Sequence, residues 1–259
     1  MSSMTEVKPG DFSHLAKHYI HRNDYSSLVI EALISYTKMT PQKKVADVGA
    51  GTGKFSKNLA EHKCAVTCVE PNKAMYQEGI AYTKEHNLTW HLGNAENIPL
   101  PANSYDWVTM ASSFHWTNTE KALSEFFRIL KSQGFVTVLW NPRDIASSDL
   151  ETEVEKIIQR KAPHIKRKSS GICNFTSCLP ETLTKSGLFK DLLFIEAPHQ
   201  LKVSKERYLG MWRSVNDIRS QVTPTTWFEI LNCIEDCVKN LNEIVIPYKT
   251  RAWTVQKTS

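Results

Sequence analysis

The stretch Val45-Ala46-Asp47-Val48-Gly49-Ala50-Gly51-Thr52-Gly53 decides how the rest of the chain is read. Its short apolar run fits a strand buried on both faces of a parallel sheet. Three glycines at alternate positions let the backbone turn sharply and lie against a ligand without interference from a Cβ. A helix over residues 53–61 follows directly, and its N-terminus offers free N–H groups and positive potential. A strand, a glycine turn and a helix form the ligand-binding corner of an open α/β sheet.

Outward from this corner the chain keeps a βαβ rhythm. Strands are predicted at 44–48, 65–70, 88–92, 105–111 and 135–140. Helices are predicted from Pro71-Asn72 to about Ala81 and over 119–130, with a turn at Ser132-Gln133-Gly134. Five strands spaced by helices predict a doubly wound parallel sheet. Before the sheet, Phe12, Leu15, Ala16 and Tyr19 and then Leu28, Val29, Ile30, Leu33 and Ile34 follow helical stripes. Residues 1–40 are therefore read as an N-terminal helical cap. After Asn141 the rhythm breaks. Helices are expected at 148–160, 182–186, 205–213 and 225–240, a sixth strand at 192–197 with an extension toward Val203, and a last strand at 244–255.

Composition sets the bounds. The 259 residues are 41% hydrophobic and 23% charged, which fits a packed globular fold. A net charge of +5 is too mild to point to nucleic acid. The opening Met1-Ser2-Ser3-Met4-Thr5-Glu6-Val7 has no apolar core of a secretory signal, and no run approaches the roughly 18 apolar residues of a membrane span. A cytoplasmic protein is expected, with six reduced cysteines. Cys173 and Cys178 lack the second close pair that a zinc site needs, so no metal is expected. The basic run Arg160-Lys161 and Lys166-Arg167-Lys168 has no interleaved aromatics and reads as a solvated loop.

The ligand follows from what surrounds the glycines. A dinucleotide fingerprint requires G-x-G-x-x-G. Here that third place holds Lys54, and the glycines run G-x-G-x-G. Asp47 would repel phosphate and would accept a hydrogen bond from an ammonium group, directly or through water. Glu70, ending the second strand, is placed to accept from both hydroxyls of a ribose. A ligand with an ammonium, a ribose and no phosphate fits better than a nicotinamide dinucleotide.

The combination V-A-D-V-G-A-G-T-G, then Val69-Glu70-Pro71, then Asn94-Ala95-Glu96 resembles the class I S-adenosylmethionine-dependent methyltransferases over about residues 43–140. The loop Ser113-Phe114-His115-Trp116, the pattern Phe12…Tyr19…Arg22…Tyr25 and the late Ile246-Pro247-Tyr248…Trp253 are similar to the small-molecule branch that includes trans-aconitate and quinone methyltransferases. The resemblance implies a Rossmann-like, seven-stranded sheet with its last strand antiparallel. The core would comprise residues 41–140, about 188–203 and 243–256. Segments 141–187 and 204–242 would be mostly helical insertions over the substrate, within one compact unit.

For the site, the resemblance implies S-adenosyl-L-methionine as cofactor and S-adenosyl-L-homocysteine as product. Gly49, Ala50, Gly51 and Gly53 would line the methionine part and Asp47 would support its amino group. Glu70, with Pro71 beside it, would hold the ribose. Asn94, Ala95 and Glu96 would meet the adenine, and the Ala111 carbonyl would face the amine. Tyr19 and Arg22 would close over the methionine carboxylate, since arginine matches carboxylates with a two-pronged fork. His115 is read either as a general base, for which its ordinary pKa is suited, or as part of the pocket wall. Tyr25, His115, Trp116, Trp140, Asn141, Arg143, Tyr208, Trp212 and Arg213 are the expected acceptor-binding residues. Tyr208 and Trp212, at i,i+4, fit a core stripe equally well.

The reading is a methyltransferase acting on a small molecule, with the methyl going to a carboxylate or hydroxyl oxygen because several arginines fall near the expected cavity. A nucleic-acid partner is not expected, and a monomer or homodimer is. An RNA or protein methyltransferase has less support: Met110-Ala111-Ser112-Ser113 replaces the [N/D]-P-P-[Y/F] clamp for exocyclic amines, and that loop has no catalytic cysteine. A non-catalytic cofactor-binding subunit stays open, because a glycine turn argues for binding and not for turnover.

Overall fold

A computed structural model describes residues 24–166 and 174–259. Expectations for Phe12, Leu15, Ala16, Tyr19, Arg22 and Cys173 lie outside these residues.

Seven strands form one sheet in the order β3-β2-β1-β4-β5-β7-β6. They are β1 (Lys44–Val48), β2 (Ala65–Glu70), β3 (Thr89–Leu92), β4 (Tyr105–Ala111), β5 (Leu130–Trp140), β6 (Phe189–Ser204) and β7 (Glu243–Lys257). The first five are parallel, and β7 runs antiparallel to both β5 and β6. The order reverses between β1 and β4, so the glycine turn after β1 stands at the switch point where open sheets bind ligands.

Helices α1 (Ser27–Tyr36), α2 (Lys54–Glu61), α3 (Lys73–Tyr82) and α4 (Thr119–Ile129) belong to this part of the chain. Asn72 and Asn118 start α3 and α4 by accepting backbone N–H bonds with their side chains, which meets donors that a helix start leaves open. Strand alternation sorts the two cores. From β1, Val45 packs with Leu33 of α1 and Phe55 and Leu59 of α2 on one face. Ala46 and Val48 pack with Leu123 and Phe126 of α4 on the other. Each such buried Val, Leu or Phe side chain stabilises the fold by about 1.5–3 kcal/mol.

Two strands differ from their expected bounds. β5 begins at Leu130, so Ser132-Gln133-Gly134 lies within it. The turn character survives locally as a positive φ at Gln133 and a register shift against β4 between Tyr105 and Trp107. β6 starts at Phe189 instead of 192, and it runs through Pro198 to Ser204, in line with the expected extension toward Val203. It is the edge strand, where a proline's missing N–H breaks no ladder.

β7 meets β5 only from Arg251 to Gln256. From Glu243 to Thr250 it pairs with β6 alone, so a two-stranded ribbon continues beyond the sheet. Helices α5 (Asp149–Lys161), α7 (Lys205–Arg213) and α8 (Pro224–Val238) bury Val154, Ile158, Tyr208, Trp212, Ile230 and Ile234 against Ile244, Ile246 and Tyr248 of that ribbon. The short α6 (Leu179–Thr184) seals the main core with Leu179 and Leu183. Among the described residues no helix is long and apolar enough to cross a membrane, and no group of three or more His, Cys, Asp or Glu is positioned to hold a metal ion.

Candidate active site

A cavity of about 350 Å³ opens at the C-terminal ends of β1, β2, β4 and β5, within the range of small-molecule sites. One end is built by Gly49, Ala50 and Gly51 after β1, Glu70 and Pro71 after β2, Asn94, Ala95 and Glu96 after β3, and Ala111 at the end of β4. These are nine of the expected cofactor residues, brought together from loops far apart in sequence.

Glu70 is the centre of this end. Its Oε2 accepts the Gly51 N–H at 2.8 Å and its Oε1 accepts the Asn72 N–H at 2.8 Å. A carboxylate has about four acceptor positions, so two remain for the vicinal hydroxyls of a ribose. Burial pushes its pKa up to about 7, against the pull of the two backbone N–H bonds. The Gly49 and Ala50 N–H groups are tied to the Val69 carbonyl at 2.8 and 3.1 Å, which fixes the turn against β2. At Gly51, with φ +59°, an added Cβ would meet nothing within 4 Å, so its backbone borders open space. The hydroxyls of Thr52 and Ser113 are also on the wall. Both are buried, and no hydrogen-bond partner for them exists among the described residues, a state that points to a polar ligand. The Asn94 Oδ1 accepts the Asn97 N–H at 2.8 Å, and the Glu96 Oε1 accepts the Asn118 N–H at 2.8 Å. Both side chains are thereby held at the rim. This donor and acceptor set fits a ribose- and ammonium-bearing cofactor.

Two residues of the expected cofactor set lie elsewhere. Asp47 is fully buried and is not on the cavity wall. Alternation along β1 turns it to the side of Val45, toward α2. There its carboxylate accepts from the Ser56 hydroxyl and, at 2.8 Å, from the Thr109 hydroxyl. Burial raises its pKa to about 6, with the two hydroxyls pulling the other way. Gly53 is off the wall too. It starts α2 with φ +77°, and a Cβ there would lie 2.8 Å from Thr83 Cγ2 and 2.9 Å from Trp90 Cζ2. The third glycine therefore allows close packing of α2.

The other end of the cavity contains Tyr25, Trp116, Asn141, Arg143 and Trp212 of the expected acceptor set. The Tyr25 hydroxyl lies 3.1 Å from Ser112 Oγ. Asn141 donates to the Asp24 carbonyl at 2.9 Å and accepts from Thr250 Oγ1 at 2.8 Å, with His199 Nε2 also 2.8 Å from its Oδ1. Arg143 is 3.2 Å from Glu151 Oε2 and 4.0 Å from the Trp212 ring centroid. Burial disfavours its charge, yet Glu151, Tyr248 and Tyr208 hold its pKa above the ordinary value.

His115, Trp140, Tyr208 and Arg213 are not on the wall. Trp140 is buried and donates its indole N–H to His115 Nδ1 at 3.3 Å, and the imidazole packs among Trp116, Trp140 and Phe175. Tyr208 is fully buried and donates to Glu151 Oε1 at 2.9 Å. Arg213 is exposed. Sequence reading missed Lys54, Glu151, Glu155, Met211, Asp217 and Tyr248, which line the cavity. The spacing of Glu151 and Glu155 on one face of an amphipathic helix was the available signal, but nothing local says what that face meets.

Comparison with known proteins agrees with this fold. Residues 46–138 match the methyltransferase domain family. An uncharacterized methyltransferase of Mycobacterium tuberculosis is 36% identical over 102 residues, which are 39% of this chain and 41% of that protein. The ubiquinone/menaquinone biosynthesis C-methyltransferase of Psychromonas ingrahamii is 28% identical over 148 residues, 52% of this chain and 59% of that protein. The chain thus spans about half the length of the curated relatives it matches. In fold, it superposes on a solved type II methyltransferase assignment from Anaeromyxobacter dehalogenans with a TM-score of 0.63 at 17% identity, over 91% of this chain and 97% of that one. The family match covers residues 46–138, with the glycine turn and Glu70 inside them, and identifies that segment as a methyltransferase domain.

Proposed function

We propose that this protein transfers a methyl group from S-adenosyl-L-methionine to a small-molecule acceptor and releases S-adenosyl-L-homocysteine. The observation that carries the reading is Glu70. It stands on the wall of a deep cavity at the sheet's switch point, with half of its acceptor positions used by the backbone and half facing the cavity. The same cavity continues to a second, aromatic-lined end where an acceptor can sit.

The cofactor, when bound, supplies an electrophilic methyl on sulfur. The chain's work is placement. The Gly49–Gly51 backbone and Glu70 fix the donor, while Tyr25, Trp116, Asn141 and Tyr248 enclose the acceptor and exclude water. Orientation in such a site can contribute up to about 7–11 kcal/mol of barrier reduction.

A cavity closed on several sides favours a small molecule over a polymer. Likeness to a quinone C-methyltransferase supports the same acceptor size. The expectation of an organic acid loses its basis in arginines. Arg143 is paired to Glu151, Arg213 is off the wall, and Arg22 is not described. The free thiols of Cys64, Cys68, Cys178, Cys233 and Cys237 accord with a reducing compartment such as the cytoplasm.

Calorimetry with S-adenosyl-L-methionine and S-adenosyl-L-homocysteine tests the donor, and radiolabelled donor offered to pooled metabolites, followed by mass analysis, tests the transfer. Uptake of both ligands and label in a low-mass product is expected. Absence of binding would overturn the reading.

A further inference from the structure

We propose that Glu125 and Arg128 of α4 are positioning residues of the cofactor end. Through the backbone of the loop after β3 they hold Asn94, Ala95 and Glu96 in the arrangement that reads the cofactor's base, and so set its preference for adenine. This rests on the cavity being a methyltransferase site and names the residues that make its base end selective.

The loop joins β3 to β4 over residues 93–104. It contains no helix and one isolated bridge, Asn94 with Asn97. A segment without regular structure must find backbone partners elsewhere, and α4 supplies several of them. Glu125 and Arg128 stand three residues apart on one face of that helix. Arg128 Nε and Nη2 each donate to Glu125, at 2.7 Å, one to each carboxylate oxygen. The same pair grips the loop. Glu125 Oε2 accepts the Ile98 N–H at 2.8 Å, while Arg128 donates from Nη2 to the Ile98 carbonyl at 2.8 Å and from Nη1 to the Leu100 carbonyl at 2.9 Å. A planar guanidinium can serve a carboxylate and two carbonyls together, and such charge-assisted bonds are the strong kind. Ile98 and Leu100 themselves are buried in the main core with Leu123 and Phe126 of α4.

The grip is passed on to the cavity wall. Pro99, between the two gripped residues, lies against Gly93, where an added Cβ would be 2.5 Å from Pro99 Cδ. The Gly93 N–H donates to the Glu70 carbonyl at 3.2 Å, and Asn94 follows next in the chain. A displacement of residues 98–100 therefore reaches Asn94 on one side and Glu70 on the other, both of which line the cavity. The start of α4 holds the loop as well, since the Asn118 N–H donates to Glu96 Oε1 at 2.8 Å. The residues expected to meet the base are thus fixed from both ends of one helix. Contacts supported in this way discriminate between ligands, and contacts about 1 Å too loose do not.

The test titrates S-adenosyl-L-homocysteine and S-inosyl-L-homocysteine into the whole chain by calorimetry. The second ligand differs in carrying a carbonyl where adenine has its amino group. The parent is expected to prefer the adenine ligand by about tenfold or more. Arg128→Met, which keeps the apolar stem and loses both carbonyl bonds, is expected to reduce that preference at least threefold. Arg128→Lys, which keeps the charge without the fork, is expected to reduce it less, and it serves in the same way if the methionine variant does not fold. Ile230→Val, in the second core and away from the cavity, is the control: it lowers the thermal transition and is expected to leave the preference unchanged. A parent without preference, an unchanged preference in the folded Arg128 variant, or an equal change in the control would overturn the proposal. Binding of neither ligand to the parent is the distinct result that removes the cofactor reading and this proposal with it.

Discussion

Glu70 and Asp47 are both buried carboxylates, yet they do different things. Glu70 faces the cavity with acceptor positions to spare, so its loss should be felt by a ligand. Glu70→Ala is expected to weaken S-adenosyl-L-methionine about tenfold to several hundredfold, the equivalent of one or two hydrogen bonds to a charged group; calorimetry gives the number, and unchanged affinity would remove the ribose role. Because burial lifts Glu70 to about 7, affinity should also fall as pH drops through 7, when the protonated acid loses acceptor capacity. Asp47 acts on the fold. Its pKa is raised from 3.8 to about 6, so between those values the native state keeps a proton that the unfolded chain has released. Stability from this group is therefore present below about pH 4 and is lost as pH rises through 6, a change on the order of 2–3 kcal/mol. Asp47→Asn should lack that loss. In urea titrations its stability relative to the parent should rise between pH 4.5 and 7.5, and parallel pH curves would refute the assignment. The acidic types at both positions were legible in the sequence. Which of the two faces the ligand was not, because it depends on the phase of each strand's alternation against helices elsewhere in the chain.

At the scale of elements, the glycine turn is a joint between β1 and α2, and its glycines have separate duties. A Cβ at Gly53 would collide with Thr83 and Trp90, while one at Gly51 would project into open space. Both positions have positive φ, so either alanine costs about 1–2 kcal/mol of backbone strain. Gly53→Ala adds overpacking between α2, α3 and β3, and a total loss of about 2–4 kcal/mol is expected. Gly51→Ala is expected to keep most of its stability and lose cofactor affinity. Chemical denaturation and calorimetry on the two variants separate these effects, and an identical pattern would show that the turn acts as one unit. The strand–turn–helix itself was readable because its signals are local: an apolar run, glycines and a helix start. The extension of β6 toward Val203 was also expected, but what lets it pass Pro198 is tertiary, since a proline is excluded or tolerated according to whether its strand is central or at an edge.

At the scale of the molecule, two of the three hydrophobic cores meet at the cavity. One underlies the parallel sheet, and the other gathers α5, α7 and α8 on the ribbon that β6 and β7 extend beyond it. Arg143 joins them, since it follows β5 and pairs with Glu151 of α5 beneath Trp212 of α7. Arg143→Met would leave the buried Glu151 side chain, among the described residues, with only the Tyr208 hydroxyl bonded to it. A loss of about 3–5 kcal/mol is expected, measured by denaturation, and Glu151→Gln in the same chain should recover part of it. No recovery would mean that the arginine acts through packing alone. Sequence reading grouped Arg143, Tyr208 and Trp212 as expected acceptor residues but missed Glu151, the carboxylate that Arg143 and Tyr208 share. Glu151 lies in a helix whose pattern is that of any amphipathic surface helix.

The sequence by itself determined the parallel sheet, the ligand-binding corner and the acid that follows the second strand. Periodicity, glycine spacing and strand ends are properties of neighbouring residues, and neighbours suffice to set them. The tertiary structure decided which side chains reach the cavity. It turned Asp47 toward α2, placed Gly53 in a helix contact, set His115 among aromatic rings, and assembled Arg143, Glu151, Glu155 and Asp217 on the cavity wall. Those outcomes depend on distances between residues far apart in the chain, and only the packing of whole elements fixes such distances.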